Sequence, residues 1–484
     1  MEHSKPDQKS PIDISNEAVT SSEDITYISP ERERAALRKF DRWLVPVAFI
    51  FMVLSSLDRN NIGNAKTFGF EADLGLKGNE FGNITTLLSV GFVGFEVPWV
   101  MAVKKFGPNR ALGTALLLWS SVTLGTAFIR NYSQAIAVRI LLGACEAGIS
   151  PGFAYLFSTI YPRRAAGKRI MMTNLANCTS GAFGGLFAYA VQTMGTRRGL
   201  EPWRWLFIVE FCLTMVVGGA CWFILPSSPE NAWFLNAEEK ETMMMRKERD
   251  ALYRGEGEAN ANRRWIKVSF TDPFVYLVGI AFFTSSVAIT GFGVFLPTII
   301  QGLGYTSLQV QYMTIPVYVV GAFCLVTNCY LSDRWQRRAP FLVACCFPVM
   351  VGYLICVGTP NSQAGYAGMF ILVLGLYSIS TLVVAWVGTN MSPDGKRAIA
   401  MPFAYSIANL SALVSGQLYP SYQGPRYIQG NAISAGLTVV AAGLYFSCWM
   451  LLRYRNNKKA KVIAEGGTTN GYTDNRGILF EYML

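Results

Sequence analysis

Histidine is all but missing from this chain: His3 is the only one among 484 residues. Histidine is the side chain that ordinarily titrates near neutrality, so proton chemistry beyond the first few residues falls to carboxyl groups. Charge is scarce as well. Charged residues make up 15% of the chain against 51% hydrophobic ones, where a soluble protein carries about 25% charged. The ten cysteines lie almost wholly inside apolar runs, for example Cys145, Cys178, Cys212, Cys345 and Cys346. None has metal-site spacing, which argues against a zinc site and a disulfide framework. No His-Glu-x-x-His site or serine-nucleophile motif stands out, which argues against an intramembrane enzyme. The first forty residues are polar and hold no signal-peptide apolar core, so the first membrane helix is expected to direct insertion itself. The net charge of +11 sits in short segments between apolar runs, where it reports topology rather than a nucleic-acid surface. No cofactor, metal or nucleic-acid partner is expected.

What the chain has instead is apolar length. Crossing a bilayer as a helix takes about 20 apolar residues, and such runs recur at 43–66, 81–103, 111–129, 133–160, 168–194, 203–225, 273–301, 308–332, 339–358, 364–391, 398–420 and 431–453. The pattern predicts an all-α membrane protein of 12 transmembrane helices, six on either side of a central loop. The expected divisions are a disordered tail at 1–42, a first bundle at 43–225, a central loop at 226–272, a second bundle at 273–453 and a disordered tail at 454–484. A basic collar of Arg32, Arg34, Arg38, Lys39 and Arg42 precedes the first span, and cations recur in every second loop. Cations of this kind favour the cytoplasmic side, so both termini are expected there. In the central loop, Asn236-Ala-Glu-Glu239 has the spacing of a helix-start capping box and opens a charged helical run to Tyr253.

Against this apolar background, Asp58 and Arg59 stand side by side in the first span, next to Asn60, Asn61 and Asn64. Arg139 and Glu146 stand seven apart in the fourth. A charge at mid-membrane costs about 2.5–3.5 kcal/mol on the most lenient scale, so these groups face a protein interior or a water-filled cavity. Neighbouring residues on a helix point about 100° apart, and seven residues span roughly 10 Å along the axis. Neither pair is therefore expected to neutralise itself within its own helix. Antiparallel spans also put Arg59 and Arg139 at similar depth, as a shared anion site requires. A guanidinium fork suits a carboxylate, while Asp58 and Glu146 are candidates to carry a proton. The structural alternatives are a static ion pair for Asp58 and Arg59, a snorkelling Arg139 and a fixed interhelical hydrogen bond for Glu146. Glu96 and Glu210 read as structural. Phe92, Trp386, Asn390 and Asn409 are candidates for the pocket lining or for packing, and Gly143, Gly148 and Gly152 for close helix contact.

The loop Leu331-Ser-Asp333-Arg334-Trp-Gln-Arg337-Arg338 resembles the signature between spans 8 and 9 of the major facilitator superfamily, and Val103-Lys104-Lys105-Phe-Gly-Pro-Asn-Arg110 is a degraded counterpart after span 2. Within that superfamily the chain resembles the anion:cation symporters, most closely the fungal allantoate permease group, which includes carriers of allantoate, nicotinate, pantothenate and biotin. The likeness rests on Asp58-Arg59-x-Asn61-x-Gly63-Asn64-Ala65, Arg139-x3-Gly143-x2-Glu146-Ala-Gly148-x2-Pro151-Gly152, Trp203-Arg204-Trp205-x4-Glu210 and Pro425-Arg426-Tyr427. It implies a major facilitator fold of 12 transmembrane helices in two six-helix bundles with alternating access, a substrate carboxylate held by Arg59 and Arg139, and a coupled proton carried by Asp58 and Glu146. Asp333, with Arg334 and Arg338, is expected to pair at a helix end and lock one conformation. Trp99 and Val100 after Glu96, Phe92 in place of an aromatic hydroxyl, and Phe211 after Glu210 depart from the group's pattern and bear on the choice of substrate. The expected function is proton-coupled uptake of a small organic carboxylate by a monomer in the plasma membrane. A drug:proton antiporter and a transporter-like nutrient receptor are the alternatives. The fifth span's Gly181-Ala-Phe-Gly184-Gly185 lacks a proline, against the antiporter, and the short tails argue against the receptor.

Overall fold

The structure, a computed structural model, describes residues 29–484 except 162, 227, 253–257, 393, 466–473 and 479. All twelve expected spans are helical. Spans 1 to 6 are Pro30–Thr67, Glu80–Phe106, Pro108–Thr126, Tyr132–Glu146 continued by Ile149–Ile160, Arg163–Thr193 and Pro202–Ile224. Spans 7 to 12 are Pro273–Gly302, Ser307–Trp335, Ala339–Gly358, Ser362–Asn390, Asp394–Asn409 continued by Ser411–Ser415, and Ile428–Ala464. Eight of the described helices are long and apolar enough to cross a membrane by length and composition. The helix starts follow local chemistry. Asn131, Asp272 and Asn361 accept hydrogen bonds from backbone N–H groups of the first turn, and Thr306 with Gln309 forms a full capping box. In the central loop the helix Ala237–Leu252 starts at the expected place, with Glu239 accepting the Asn236 backbone N–H at 2.8 Å.

The same packing scheme appears in each half. Spans 2 and 4, 3 and 6, and 1 and 5 pack together, as do spans 8 and 10, 9 and 12, and 7 and 11. Spans 2 and 4 approach backbone to backbone. A Cβ at Gly143 would land on the Leu88 carbonyl, and one at Gly91 on the Ile140 carbonyl. Such contacts bring membrane helices close where apolar burial cannot drive association. Span 4 breaks just after Glu146. Trp99 of span 2 lies against Gly148 at the break and donates its indole N–H to the Ala144 carbonyl at 2.7 Å.

The halves meet through spans 5 and 8, 1 and 7, and 2 and 11. Hydrogen bonds between them cluster on the face away from the central loop. Gln417 bonds Asn79, Asn83 and Thr86; Gln311 and Ser307 bond Thr67; Ser421 bonds Glu71. At this face the Lys66 ammonium, its side chain only 6% exposed, lies 4.5 Å from the Phe81 ring centroid of its own half. It also lies 5.6 and 5.9 Å from Phe295 and Tyr427 of the other half. The protein is therefore sealed on the face opposite the central loop.

Two boundaries differ from the sequence reading. The first helix begins at Pro30, not near residue 43. Proline at the first helical position and Glu31 and Glu33 in the first turn favour a start there. Lys39 and Glu33 then pair with Glu239 and Arg246 of the central loop; residues 1–28 lie outside the described residues. At the other end, the tail expected to be disordered continues span 12 to Ala464, and its described residues from 474 onward dock on the second half. Fully buried Lys396 bonds Asp272, Asp474 and Asn475 at 2.6, 3.2 and 2.6 Å, and Arg455 bonds Asp272 at 2.8 Å. Burial pushes the Asp272 carboxyl up, but Arg455 and Lys396 outweigh it and hold the group below its ordinary value. The Met483 carbonyl accepts from Trp386 and Asn390, and Lys459 reaches two tail carbonyls. Polar composition suggested a solvated tail, whereas these polar groups satisfy one another in a buried network.

Candidate functional site

The first half buries a charged cluster in its centre. Asp58 and Glu146 are both fully buried, as is Glu210 of span 6, and Arg139 is 2% exposed. Arg59 lies about two turns before the end of span 1, and Arg139 about two turns after the start of span 4. The two residues thus stand at similar depth. Asp58 accepts hydrogen bonds on one oxygen from the Trp119 indole and from the Thr123 hydroxyl at 2.7 Å, both on span 3. Glu146 accepts from the Ser55 hydroxyl and pairs with Arg59 across the span 1–span 4 contact, Nη1 to Oε1 2.9 Å. Glu210 accepts from the Asn61 amide at 2.8 Å, and Asn61 in turn accepts from Asn64 at 3.1 Å. Arg139 is within electrostatic reach of Asp58, Glu210 and Glu146, and its guanidinium lies 5.8 Å from the Phe207 ring centroid.

Three carboxyls here face two guanidiniums. One oxygen of each carboxyl (Asp58 Oδ1, Glu146 Oε2 and Glu210 Oε1) is buried without a hydrogen-bond partner, as is Arg139 Nη2. Leaving such groups unpaired costs about 1–3 kcal/mol each, more when charged. The cluster is therefore not a settled set of ion pairs but one with spare bonding capacity and one acid in excess.

The expected site residues separate into groups. Asp58, Arg59, Asn61, Arg139, Glu146 and Glu210 come together. The expectation that both guanidiniums face one solvated space is not met. Arg139 is 2% exposed, within electrostatic reach of the three carboxyls, whereas the Arg59 side chain keeps 31% exposure. Glu210, read as structural, belongs to the cluster. Asn61 points into it, fully buried and bonded to Glu210. Phe92 is half-buried on span 2, where its backbone meets Gly143. Glu96 is half-buried on the same span, and Asn409 is half-buried where span 11 breaks. Trp386 is corrected outright as a substrate contact. It is fully buried at the loop end of span 10, its indole N–H taken by Met483 and its ring edge-on to Phe274, so no surface is left for a ligand. Asp333 pairs with Arg338 at 3.2 Å at the loop side of span 8, and Arg334 is exposed beside it.

Sequence reasoning missed Trp119, Thr123 and Ser55. The first two carry a signal, an indole and a hydroxyl four residues apart and so on one helix face, at a depth where apolar side chains are cheaper. Ser55 lies one turn before Arg59, on the face that meets span 4.

A twelve-span fold of two like-packed halves, sealed at one face and holding a buried charge cluster, defines a membrane carrier. Residues 48–416 match the Major Facilitator Superfamily, and the chain belongs to that family. An uncharacterized transporter of Schizosaccharomyces pombe is 37% identical over 98% of this chain and 95% of its own length. The high-affinity nicotinic acid transporter of Saccharomyces cerevisiae is 31% identical over 94% and 85%. Among solved structures, the inward-facing, unoccupied bacterial homolog of the human lysosomal transporter Spinster overlays with a TM-score of 0.64 at 14% identity, covering 87% of this chain and 98% of that one. The partially occluded, inward-open xylose transporter XylE from E. coli overlays at 0.65 and 16% identity, over 84% and 98%. The protein is a multi-pass membrane transporter of the major facilitator type and not an enzyme.

Proposed function

We propose that the protein imports a small organic carboxylate together with a proton, as an anion:cation symporter of the allantoate permease type. One observation carries the reading: Arg59, the exposed guanidinium of the cluster, is held by fully buried Glu146. A substrate carboxylate arriving beside Arg59 competes for the same fork. As it takes over the guanidinium, Glu146 is left buried without its counter-charge, at a cost of several kcal/mol. Taking up a proton removes that cost, so anion and proton are bound together. Arg139 acts from inside as the counter-charge of Asp58 and Glu210. This differs from the two-arginine clamp that the family resemblance implies. The nicotinic acid transporter among the relatives supports a vitamin-sized acid as cargo. We place the carrier in the plasma membrane as a monomer with both termini cytoplasmic, so that the face sealed here is the outer one.

The test is uptake of labelled nicotinate, allantoate, pantothenate and biotin by transport-null cells. At least one acid should enter, faster at acidic external pH and not in the presence of a protonophore. Arg59→Ala should abolish that uptake while still reaching the membrane. Uptake by Arg59→Ala at the normal rate removes the proposed site, and indifference to pH and protonophore removes the proton.

A further inference from the structure

The second helix of the central loop, Glu258–Phe270, ends just before span 7 begins at Pro273, with only Thr271 and Asp272 between them. It packs on span 11. From residue 264 to 270, where its side chains are described, three faces separate. Trp265, Val268 and Ser269 turn inward; Ser269 is buried, and its hydroxyl donates to the Lys396 carbonyl of span 11 at 3.4 Å. Ile266 and Phe270 share a second stripe, four residues apart, and are 46% and 42% exposed. Arg264 and Lys267, three residues apart, form a third stripe, roughly 100° round the helix from the second, and both are exposed. An apolar stripe and a cationic one thus run side by side along a helix whose remaining face is used by the fold.

The apolar stripe joins a larger surface. Phe270 meets Phe403 of span 11 with ring centroids 4.6 Å apart, and Phe403 meets Tyr276 of span 7 at 5.6 Å. Tyr276 donates its hydroxyl to the Phe270 carbonyl at 2.9 Å, which sets the end of the loop helix beside the first turn of span 7. Tyr276 and Ile280, one turn apart, are both exposed on span 7, on the side that a membrane span gives to lipid. Ile266 and Phe270 therefore continue the lipid-facing surface at the level where span 7 enters the bilayer. Scattered exposed apolar residues are ordinary; a stripe of them that joins a lipid-facing surface and is flanked by cations is the pattern of a helix lying in the membrane interface. We infer that Glu258–Phe270 is an interfacial anchor for anionic phospholipid in the leaflet on the central-loop side. Ile266 and Phe270 enter the acyl boundary, and Arg264 and Lys267 hold the headgroup charge. The central loop then has two separate attachments. Its first helix is held to span 1 through Glu239 and Arg246, and its second ties the loop ends of spans 7 and 11 to lipid. The anchor is independent of what the carrier transports.

The probe is the photo-crosslinker p-benzoylphenylalanine in place of Ile266, in the whole chain held in nanodiscs of phosphatidylcholine with a minor share of phosphatidylserine. Mass spectrometry after illumination identifies what position 266 touches. Phospholipid adducts should form, with the serine lipid enriched severalfold over its share of the bilayer. Arg264→Gln with Lys267→Gln should return it to that share, whereas Arg264→Lys with Lys267→Arg, which keeps both charges, should retain the enrichment. High salt should also erase it in the otherwise unchanged chain, because exposed charges are screened; this arm stands even where the glutamine pair is not recovered folded. Glycerophosphoserine, the headgroup without acyl chains, should not compete. No lipid adduct at 266, crosslinks to another polypeptide instead, or the serine lipid at its bulk share overturns the anchor. An enrichment that survives both the glutamine pair and high salt removes the role of the cations, and competition by glycerophosphoserine makes this a site for soluble phosphate rather than for lipid.

Discussion

Removing Arg139 should destabilise the protein, and removing a carboxyl with it should restore much of the loss. Arg139 is 2% exposed and faces Asp58, Glu210 and Glu146. In Arg139→Met the side-chain length is kept, but those three acids retain only Arg59 as a counter-charge. Breaking a buried charge pair by removing one partner costs about 3–5 kcal/mol, mostly through the charge left behind. At about 2 °C per kcal/mol, the scale for chains of a few hundred residues, the melting temperature in detergent should fall by about 6–10 °C. In Arg139→Met combined with Asp58→Asn the balance returns to one acid in excess, as in the wild type, and the amide oxygen that replaces the carboxylate can still accept from Trp119 and Thr123. The double variant should regain at least half of the loss. The assay is a thermal melt of the purified protein followed by gel filtration, run as a double-mutant cycle. A single variant as stable as the wild type, or a double variant no better than the single, would refute the claim that the cluster is held by mutual charge compensation.

Three further outcomes follow from the fold. Lys66→Met removes the ammonium that rings from both halves surround; each such contact is worth about 0.5–2 kcal/mol. Maleimide labelling of Thr86→Cys, at the sealed face, should then be severalfold faster than in the same variant with Lys66 intact, above the native cysteine background; an equal rate would show that Lys66 does not hold this face shut. Ending the chain after Glu465 should lower the melting temperature by several degrees, because Lys396 loses Asp474 and Asn475 and each buried donor left unsatisfied costs about 1–3 kcal/mol; an unchanged melt would mean the docked tail contributes nothing to stability. Gly143→Val should fail to yield folded protein, since even the first added carbon meets the Leu88 carbonyl; normal recovery from the membrane would contradict the close approach of spans 2 and 4.

Much of the architecture was legible because bilayer crossing imposes one strong requirement, apolar length; all twelve runs are helical, and eight lie in helices long and apolar enough to cross by that measure. The breaks in spans 4 and 11 were not legible. The break in span 4 falls where Trp99 lies against Gly148, and hydropathy averages across both breaks. Asp58, Arg59, Arg139 and Glu146 could be singled out because charge in an apolar run demands a cause. Their pairing could not, since Arg59 finds Glu146 rather than a neighbour in sequence, and only the packing of span 1 on span 4 decides that. Trp386 shows the opposite failure. An aromatic in a span suits a pocket wall or a packed core equally, and what covers it, the backbone of Met483, lies almost a hundred residues away in a segment whose composition suggested solvent.

The most direct test of the account is proton movement driven by substrate. Wild-type protein and Glu146→Gln are placed in liposomes loaded with a pH-sensitive dye, and an acid that the uptake panel identifies is added outside. The account predicts internal acidification with the wild type, and with Glu146→Gln exchange of labelled for unlabelled acid without any pH change. Acidification by Glu146→Gln equal to that of the wild type would contradict it.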